Sequence, residues 1–473
     1  MKKFQIADLA KTIKASHESR DTGHGFFTDI STDSRSIQPG DCFFAIAGDN
    51  FDGHDYIPGV FAKGAACAVV SRNIEPAGKC LLKVNDTTKA LGDFAAEYRR
   101  LMNFKVVAIT GSVGKTTVRQ ILYHVLSQRY RVYQSPKNFN NQIGLPLTLL
   151  GADPDCRIVL AELGTNHPGE IAHLTRIAQP NIAVVTSVHP AHLEGFGDVS
   201  AIAKEKLSIS QGLSPDGVLI INTEAITNYQ SPITSHQLPI TNHQIITFGK
   251  SAGSDIRAEN ISFDGIGSQF SVNGAEIHLP LPGPGNIENA LAAWAVCSRL
   301  GVTIGDFAQT ITTLSAVPMR AELLQIGKLT VLNDCYNANP ASMKNALDIL
   351  ANLAGNRKNR AACPGEAQRR RVFICGGMAE LGTQTQSLHA ELGTAVAQAK
   401  VQLLLTVGES AKIVAQAAKD NAKHDLQTKS FADTLSACNS LTKLIKDYDI
   451  VLVKGSRINK LELAVEKLKE LFT

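Results

Sequence analysis

The residues of this chain best suited to holding phosphate are Gly111, Ser112, Val113, Gly114, Lys115, Thr116 and Thr117, consecutive and preceded by the apolar run Val106 to Ile109. A glycine turn frees backbone N–H groups to point at anionic oxygens, and a helix that follows adds the positive end of its dipole. Lysine neutralises charge, and a threonine hydroxyl is a hard oxygen ligand for Mg²⁺. The common spacing wants a first glycine at position 109, where Ile109 stands, so this is a shortened loop. The chemistry implied is binding of a nucleoside triphosphate with Mg²⁺. Glu162 comes near the end of another apolar run, Arg157–Leu163, and His189 and His192 follow a third, Asn181–Ser187. Singly, Glu162 reads as a surface carboxylate and either histidine as a loop cap. Their shared placement after successive strands favours a carboxylate and imidazole near the triphosphate, beyond the carboxyl ends of a parallel sheet. Asn140 and Asn141, in the amide-rich stretch 137–147, suit peptide or sugar groups, with turn formation as the plainer reading. Asn286 is expected to cap a helix over 283–293, with Asn289 in its first turn.

The elements that must position these groups alternate. Strand candidates at Lys105–Ile109, Arg157–Leu163, Asn181–Ser187 and Gly217–Asn222 are separated by helical patterns, among them Ile121, Leu122, Val125 and Leu126 after the glycine turn. That alternation predicts a mainly parallel sheet covered on both faces, over about 83–316. Before it, residues 1–82 carry short β-like runs at 42–47 and 66–70, too small a unit for the nucleotide machinery. After it, strand-like runs at Leu329–Asn333, Arg371–Cys375, Gln402–Val407 and Ile450–Val453 predict a second large α/β unit over 317–473. The expected class is thus α/β with three domains, as 473 residues suggest. No GxGxxG occurs, which removes the best support for an oxidoreductase. Between Ala354 and Arg371 the basic residues Arg357, Lys358, Arg360, Arg369, Arg370 and Arg371 read as a solvated loop rather than a contact for an acidic partner.

A hydrophobic content of 44% fits a globular enzyme, and a net charge of +4 neither demands nucleic acid nor excludes acidic small molecules. Nine scattered cysteines without a CxxC pair favour reduced thiols and the cytoplasm over a disulfide framework or zinc site. Neither a signal peptide nor a membrane span is expected.

In order along the chain, the segments 110–117, 138–146, 162–171, 192–197, 333–343 and 454–457 make a set far more specific than the phosphate loop alone, and through them the chain resembles the Mur ligases. The pieces 336–340 (Tyr-Asn-Ala-Asn-Pro) and 166–171 (Asn-His-Pro-Gly-Glu-Ile) point within that family to addition of D-alanyl-D-alanine to UDP-N-acetylmuramoyl-tripeptide. The resemblance implies an N-terminal domain for the UDP end, a central ATPase domain and a Rossmann-like C-terminal domain. It implies UDP-substrate contacts near Ser34 and Arg35 and a further family motif at 52–54. Asn289, Arg320 and Asp334 fall to the nucleotide, Arg320 crossing over on closure. Tyr336, Asn337 and Asn339, with Asn140 and Asn141, fall to the peptide substrates. Thr116, Glu162 and His192 are metal ligands, joined by a carbamylated Lys206, although two lysines on one helix, Lys204 and Lys206, are ordinarily just solvated. A monomer is expected. Departures from the family pattern are Gly285 before Asn286 in place of histidine, Gly377 in place of aspartate, Ser208 in place of glutamate, and the inserted basic stretch.

The chemistry so implied is carboxylate activation by γ-phosphoryl transfer, then amine attack, with Lys115, His192, Lys206 and Arg320 as catalytic groups. A switch or transport ATPase and a folylpolyglutamate synthase are the competing expectations; residues 336–340 argue against the second.

Overall fold

The structure, a computed structural model, describes residues 3–17, 25–75, 78–227, 243–355 and 369–473. Its central sheet has seven parallel strands in the order Ile256–Arg257, Gln244–Gly249, Val218–Asn222, Ile182–Val185, Lys105–Thr110, Ile158–Glu162, Val132–Gln134. The four strands expected from the sequence are four of the five inner ones, and apart from Lys105 every residue in them is buried. Continuous apolar runs of this kind fit strands covered on both faces. Alternation then divides the cover. Val107 and Ile109 face a core shared with Ile121 and Leu122 of the helix Lys115–Leu126 and with Leu291 of the helix Pro284–Arg299. Val106 and Ala108 face the opposite core, with Leu91, Leu149 and Leu174 from the helices Thr87–Met102, Gly144–Leu150 and Glu170–Ala178.

The strand Lys105–Thr110 lies between Ile158–Glu162 on one side and Ile182–Val185 on the other, so the chain changes direction of travel across the sheet there. A crevice opens at such a switch point, beyond the carboxyl ends.

Two further sheets flank this one. Near the N-terminus, five strands run in the order Ser16–His17, Leu81–Lys83, Cys67–Val70, Cys42–Phe44, Ile30–Ser31, parallel except for the first pair. The helix Thr87–Met102, capped by the Asp86 carboxylate accepting from the Lys89 N–H, follows it, and its Phe94 and Tyr98 pack on the rings of Phe4 and Phe27. Towards the C-terminus a six-stranded sheet has the order Glu322–Ile326, Leu329–Asn333, Ile450–Lys454, Arg371–Gly376, Leu403–Val407, Gln427–Phe431, antiparallel only at the first pair.

Several elements differ from the sequence reading. A three-stranded antiparallel sheet, Glu259–Phe263, Ser268–Val272 and Ala275–Leu279, interrupts the expected alternation. Asn286 does not cap its helix: Gly283, at φ 93°, holds that position with Pro284 in the first turn, and the Asn286 amide donates to the Pro282 carbonyl at 2.8 Å. Asn289 therefore lies beyond the first turn. That helix also carries Trp294, whose ring centroid is 5.4 Å from that of Phe307. The basic stretch is not all solvated loop. Arg357, Lys358 and Arg360 lie outside the described residues, but Arg370 pairs with Asp449 at 2.6 Å and Arg371 starts a strand, buried, donating to the Ala399 carbonyl. Among the described residues no helix is long and apolar enough to cross a membrane, and eight cysteines are free thiols, seven of them buried.

Candidate active site

A cleft of about 910 Å³ occupies the crevice, walled on one side by loops of the central sheet and on the other by loops of the C-terminal sheet. The turn 111–114 forms its floor. Gly111 and Gly114 have φ of 148° and 93°, and a Cβ on either would stand 1.9 Å from Thr186 Oγ1 or 2.2 Å from Asn289 Oδ1, so any other residue at either position is strained and must displace its neighbour. The next strand end clamps the turn: the Val113 N–H donates to Ser187 Oγ at 3.0 Å, Thr186 Oγ1 donates to the Val113 carbonyl, and the His189 N–H donates to Ser112 Oγ at 3.0 Å. The backbone of His189 thus holds the loop's shape, while its side chain lines the cleft, where burial lowers its pKa.

Lys115 opens the helix, its ammonium donating to the Gly111 carbonyl at 2.7 Å; burial lowers its pKa, Glu162 opposing and Arg320 adding to the shift. Glu162 ends the strand Ile158–Glu162 and is 2% exposed. Thr116 donates to its Oε2 at 3.3 Å. The Arg119 guanidinium stands 3.2 Å from Oε1, yet Oε1 makes no hydrogen bond. A buried carboxylate oxygen with unused lone pairs beside a threonine hydroxyl is a donor set that fits a hard divalent cation.

His192 and Lys206 meet the same space. His192 has φ 55°, and its Nδ1 contacts a carboxylate oxygen of Glu380 from the opposite wall, while burial lowers its pKa against the pull of Glu380. Lys206 is 3% exposed, so the solvated-lysine alternative fails for it; burial and the Lys115 charge bring its pKa down to about 7. Its neighbour Glu205, which sequence reasoning passed over, accepts from the Gly169 and Ile171 N–H groups at 2.7 Å each and fixes the loop after Glu162. Ser208, the departure nearest this lysine, turns its hydroxyl back to the Glu205 carbonyl.

Of the two amides at 140–141, Asn141 serves the turn: its Oδ1 accepts from the Ile143 and Gly144 N–H groups at 3.2 and 2.8 Å. The Asn140 side chain packs against Gly164 on the cleft wall.

From the opposite wall the guanidinium of Arg320 lies over the Tyr336 ring, 4.1 Å from its centroid. Asp334 accepts from the Ala321 N–H at 3.0 Å and from Lys454 at 2.6 Å, and Lys454, 1% exposed, also donates to the Asn337 carbonyl at 3.0 Å. Lys454 was legible as part of 454–457 but not as the group that fixes Asp334. The Asn337 side chain accepts from the Ala338 N–H. Asn339 accepts from the Ser342 N–H and reaches the Ser112 carbonyl at 3.5 Å, bridging to the phosphate turn. At Gly285 and Gly377 a Cβ would meet the side-chain ends of Asn345, Oδ1 at 2.9 Å, and Ser410, Oγ at 2.1 Å, so a larger residue at either position requires that neighbour to turn aside.

Ser34 and Arg35 do not line this cleft. Arg35 is exposed and paired with Asp33 at 2.8 Å, while Lys63 holds the Ser34 carbonyl at 2.8 Å. At 52–54, His54 is buried, its Nδ1 2.5 Å from Asp52 and its Nε2 accepting from the Ser71 N–H at 2.9 Å, a brace within the first sheet.

Family models match nearly the whole chain in three pieces: the Mur ligase family catalytic domain over residues 27–99, the Mur ligase middle domain over 109–297, and the Mur ligase glutamate ligase domain over 319–457. The chain is 35% identical to the UDP-N-acetylmuramoyl-tripeptide–D-alanyl-D-alanine ligase of Escherichia coli (strain K12), over 93% of each chain. It is 30% identical to that of Bacillus subtilis (strain 168), over 98% of this chain and 97% of the relative. Among solved structures it superposes on MurF from Acinetobacter baumannii with a TM-score of 0.87 at 29% identity, covering 99% of both. MurF ligase from Thermotoga maritima in complex with ADP gives 0.79 at 25%, covering 94% of this chain and 97% of that one.

Proposed function

The chain belongs to the Mur ligase family, and from that premise we propose that it uses ATP to join D-alanyl-D-alanine to the terminal carboxylate of UDP-N-acetylmuramoyl-tripeptide, completing the pentapeptide precursor of peptidoglycan. One observation carries the proposal: the phosphate turn, the buried Glu162 and Lys206, and the opposing run Tyr336–Asn339 all line a single cleft. A nucleotide-binding floor facing an amide-rich wall suits transfer from ATP to a peptide acid.

An amide forms in water only from an activated carboxylate, and γ-phosphoryl transfer supplies that activation as an acyl phosphate. The N–H groups of the turn hold the phosphates, and Lys115 and Arg320 offset the charge that builds as phosphate and carboxylate approach. Mg²⁺ would be held by Thr116 and Glu162, with a second ion near His192 and Lys206, and would supply further charge neutralisation there. Lys206 suits carbamylation, since its amine is unusually easy to deprotonate and an unmodified ammonium would repel Lys115 and any metal. Asn289, against Gly114, and Asp334, held by Lys454, are assigned to the nucleotide. Asn140, Asn141, Tyr336, Asn337 and Asn339 are assigned to the peptide substrates. The neutral dipeptide amine then attacks the acyl carbon, the new C–N bond forms, and the C–O bond to phosphate breaks.

We further infer a division at 1–82, 83–316 and 317–473, with the UDP end held by the first unit near Ser34 and Arg35. Free, mostly buried thiols among the described residues support action in the cytoplasm, and we infer a monomer. The test is ADP release with the UDP-tripeptide and D-alanyl-D-alanine added singly and together. Joint dependence, with a pentapeptide product by mass, is expected. ADP release that ignores the amine would indicate a plain ATPase.

A further inference from the structure

We propose that Glu380 is a positioning residue for the reaction: docked across the cleft, it fixes the ring of His192 and so ties assembly of the catalytic wall to the arrival of the C-terminal loop 376–382. The proposal rests on the ligase reading above.

Glu380 lies in the loop after the strand Arg371–Gly376, and His192 in the loop after Ile182–Val185, so the pair joins the ends of strands from two different sheets. The contact between His192 Nδ1 and a Glu380 carboxylate oxygen is not isolated. The Glu194 N–H donates to the Glu380 carbonyl at 3.1 Å, and a Cβ on Gly382 would stand 3.4 Å from Glu194 Cα, so the two loops meet along their backbones. Both contact residues take left-handed backbone, with φ of 55° at His192 and 60° at Glu380. A side chain at such an angle is strained, and strain of this kind is kept where the surroundings impose it, often at working sites.

Stability does not explain the pair. Glu380 is 51% exposed on its side chain, and an ion pair so wetted adds little. Orientation does. A carboxylate accepts the proton of Nδ1, which leaves Nε2 with its lone pair, and Nε2 makes no hydrogen bond among the described residues. His192 and Glu380 both line the cleft, so that lone pair serves whatever cation accompanies the phosphates; partners of this kind tune metal affinity from behind the ligand.

The test compares Glu380→Gln and Glu380→Asp with the wild type. ¹⁵N spectra of the metal-free protein are expected to show His192 as the Nδ1–H tautomer, less populated in Glu380→Gln, whose neutral amide oxygen is a weaker acceptor. Mg²⁺ affinity in the presence of ADP, by calorimetry, is expected to fall about tenfold in Glu380→Gln, with kcat falling alike, KM for ATP moving less than about twofold, and Glu380→Asp recovering most of both. An Nε2–H tautomer in the wild type overturns the proposal, as do Mg²⁺ affinity and kcat within twofold of wild type in Glu380→Gln. Should Glu380→Gln lose its fold by circular dichroism, the wild-type tautomer and the same measurements on Glu380→Ala decide, values within twofold of wild type overturning the proposal. A wild type without joint substrate dependence would instead sink the ligase reading, a result independent of Glu380.

Discussion

The two walls of the cleft are built in different ways. The central wall is a turn locked by its own sheet, with glycines where a side chain would be strained and displace its neighbour, and Ser187, Thr186 and His189 clamping the loop from the next strand. The C-terminal wall is well ordered internally, through Asp334 and Lys454, but reaches the central wall through few polar contacts: Asn339 to Ser112, Asn345 to Gly285 and the Glu380 loop. The lesson is a division of labour. On the proposed reading, phosphate is received by a surface already shaped for it, while the groups that complete the chemistry stand on a wall joined to it by few polar links.

If that contrast is right, damage to the central wall should be severe. Lys115→Ala is expected to lower the rate of amide synthesis about 10³-fold, by ADP release, since a preorganised charge partner for the transferring group is lost. Synthesis at normal speed would undo the functional reading. Gly114→Ala puts a Cβ on Asn289 and a side chain at φ 93°, and should weaken ADP binding about 5- to 150-fold, as a strain of about 1–3 kcal/mol implies. Unchanged affinity in a titration would show the turn to be more pliant than described.

On the opposite wall, Asn339→Ala removes a link of 3.5 Å and a helix cap, and should cost about 1 kcal/mol of stability and only a few-fold in rate. A loss as large as that of Lys115→Ala would erase the contrast.

The smallest effect is on pH dependence. Lys206 titrates at about 7 when folded, against 10.5 ordinarily, so between those values the unfolded chain binds a proton that the folded one does not, and stability rises with pH across that window. In bicarbonate-free buffer Lys206→Met should flatten the rise in melting temperature from pH 7 to 10. A rise as steep as wild type would place its origin elsewhere.

Much of this was readable in the residues. Runs such as Val218–Asn222 and Leu403–Val407 declare themselves because a strand buried on both faces must be apolar throughout. The strand Gln427–Phe431, largely exposed at a sheet edge, and the sheet at 259–279, where Glu259–Phe263 has no buried residue, carry no such signal. Asn286 misled because its amide suits capping in general, whereas Gly283 and Pro284 fix the helix start through backbone angles. In the site, Lys115 and Glu162 were legible from position after a strand. Glu380 was not, since what marks it is a partner 188 residues away.

The chain has one tryptophan, and it sits on the helix that presents Asn289 to the phosphate turn. Trp294 is buried against Phe307, so its emission is shielded from solvent and sensitive to small shifts of that helix. Excited selectively above the eight tyrosines, this single tryptophan is expected to report nucleotide docking in stopped flow on unlabelled protein, before any product has formed.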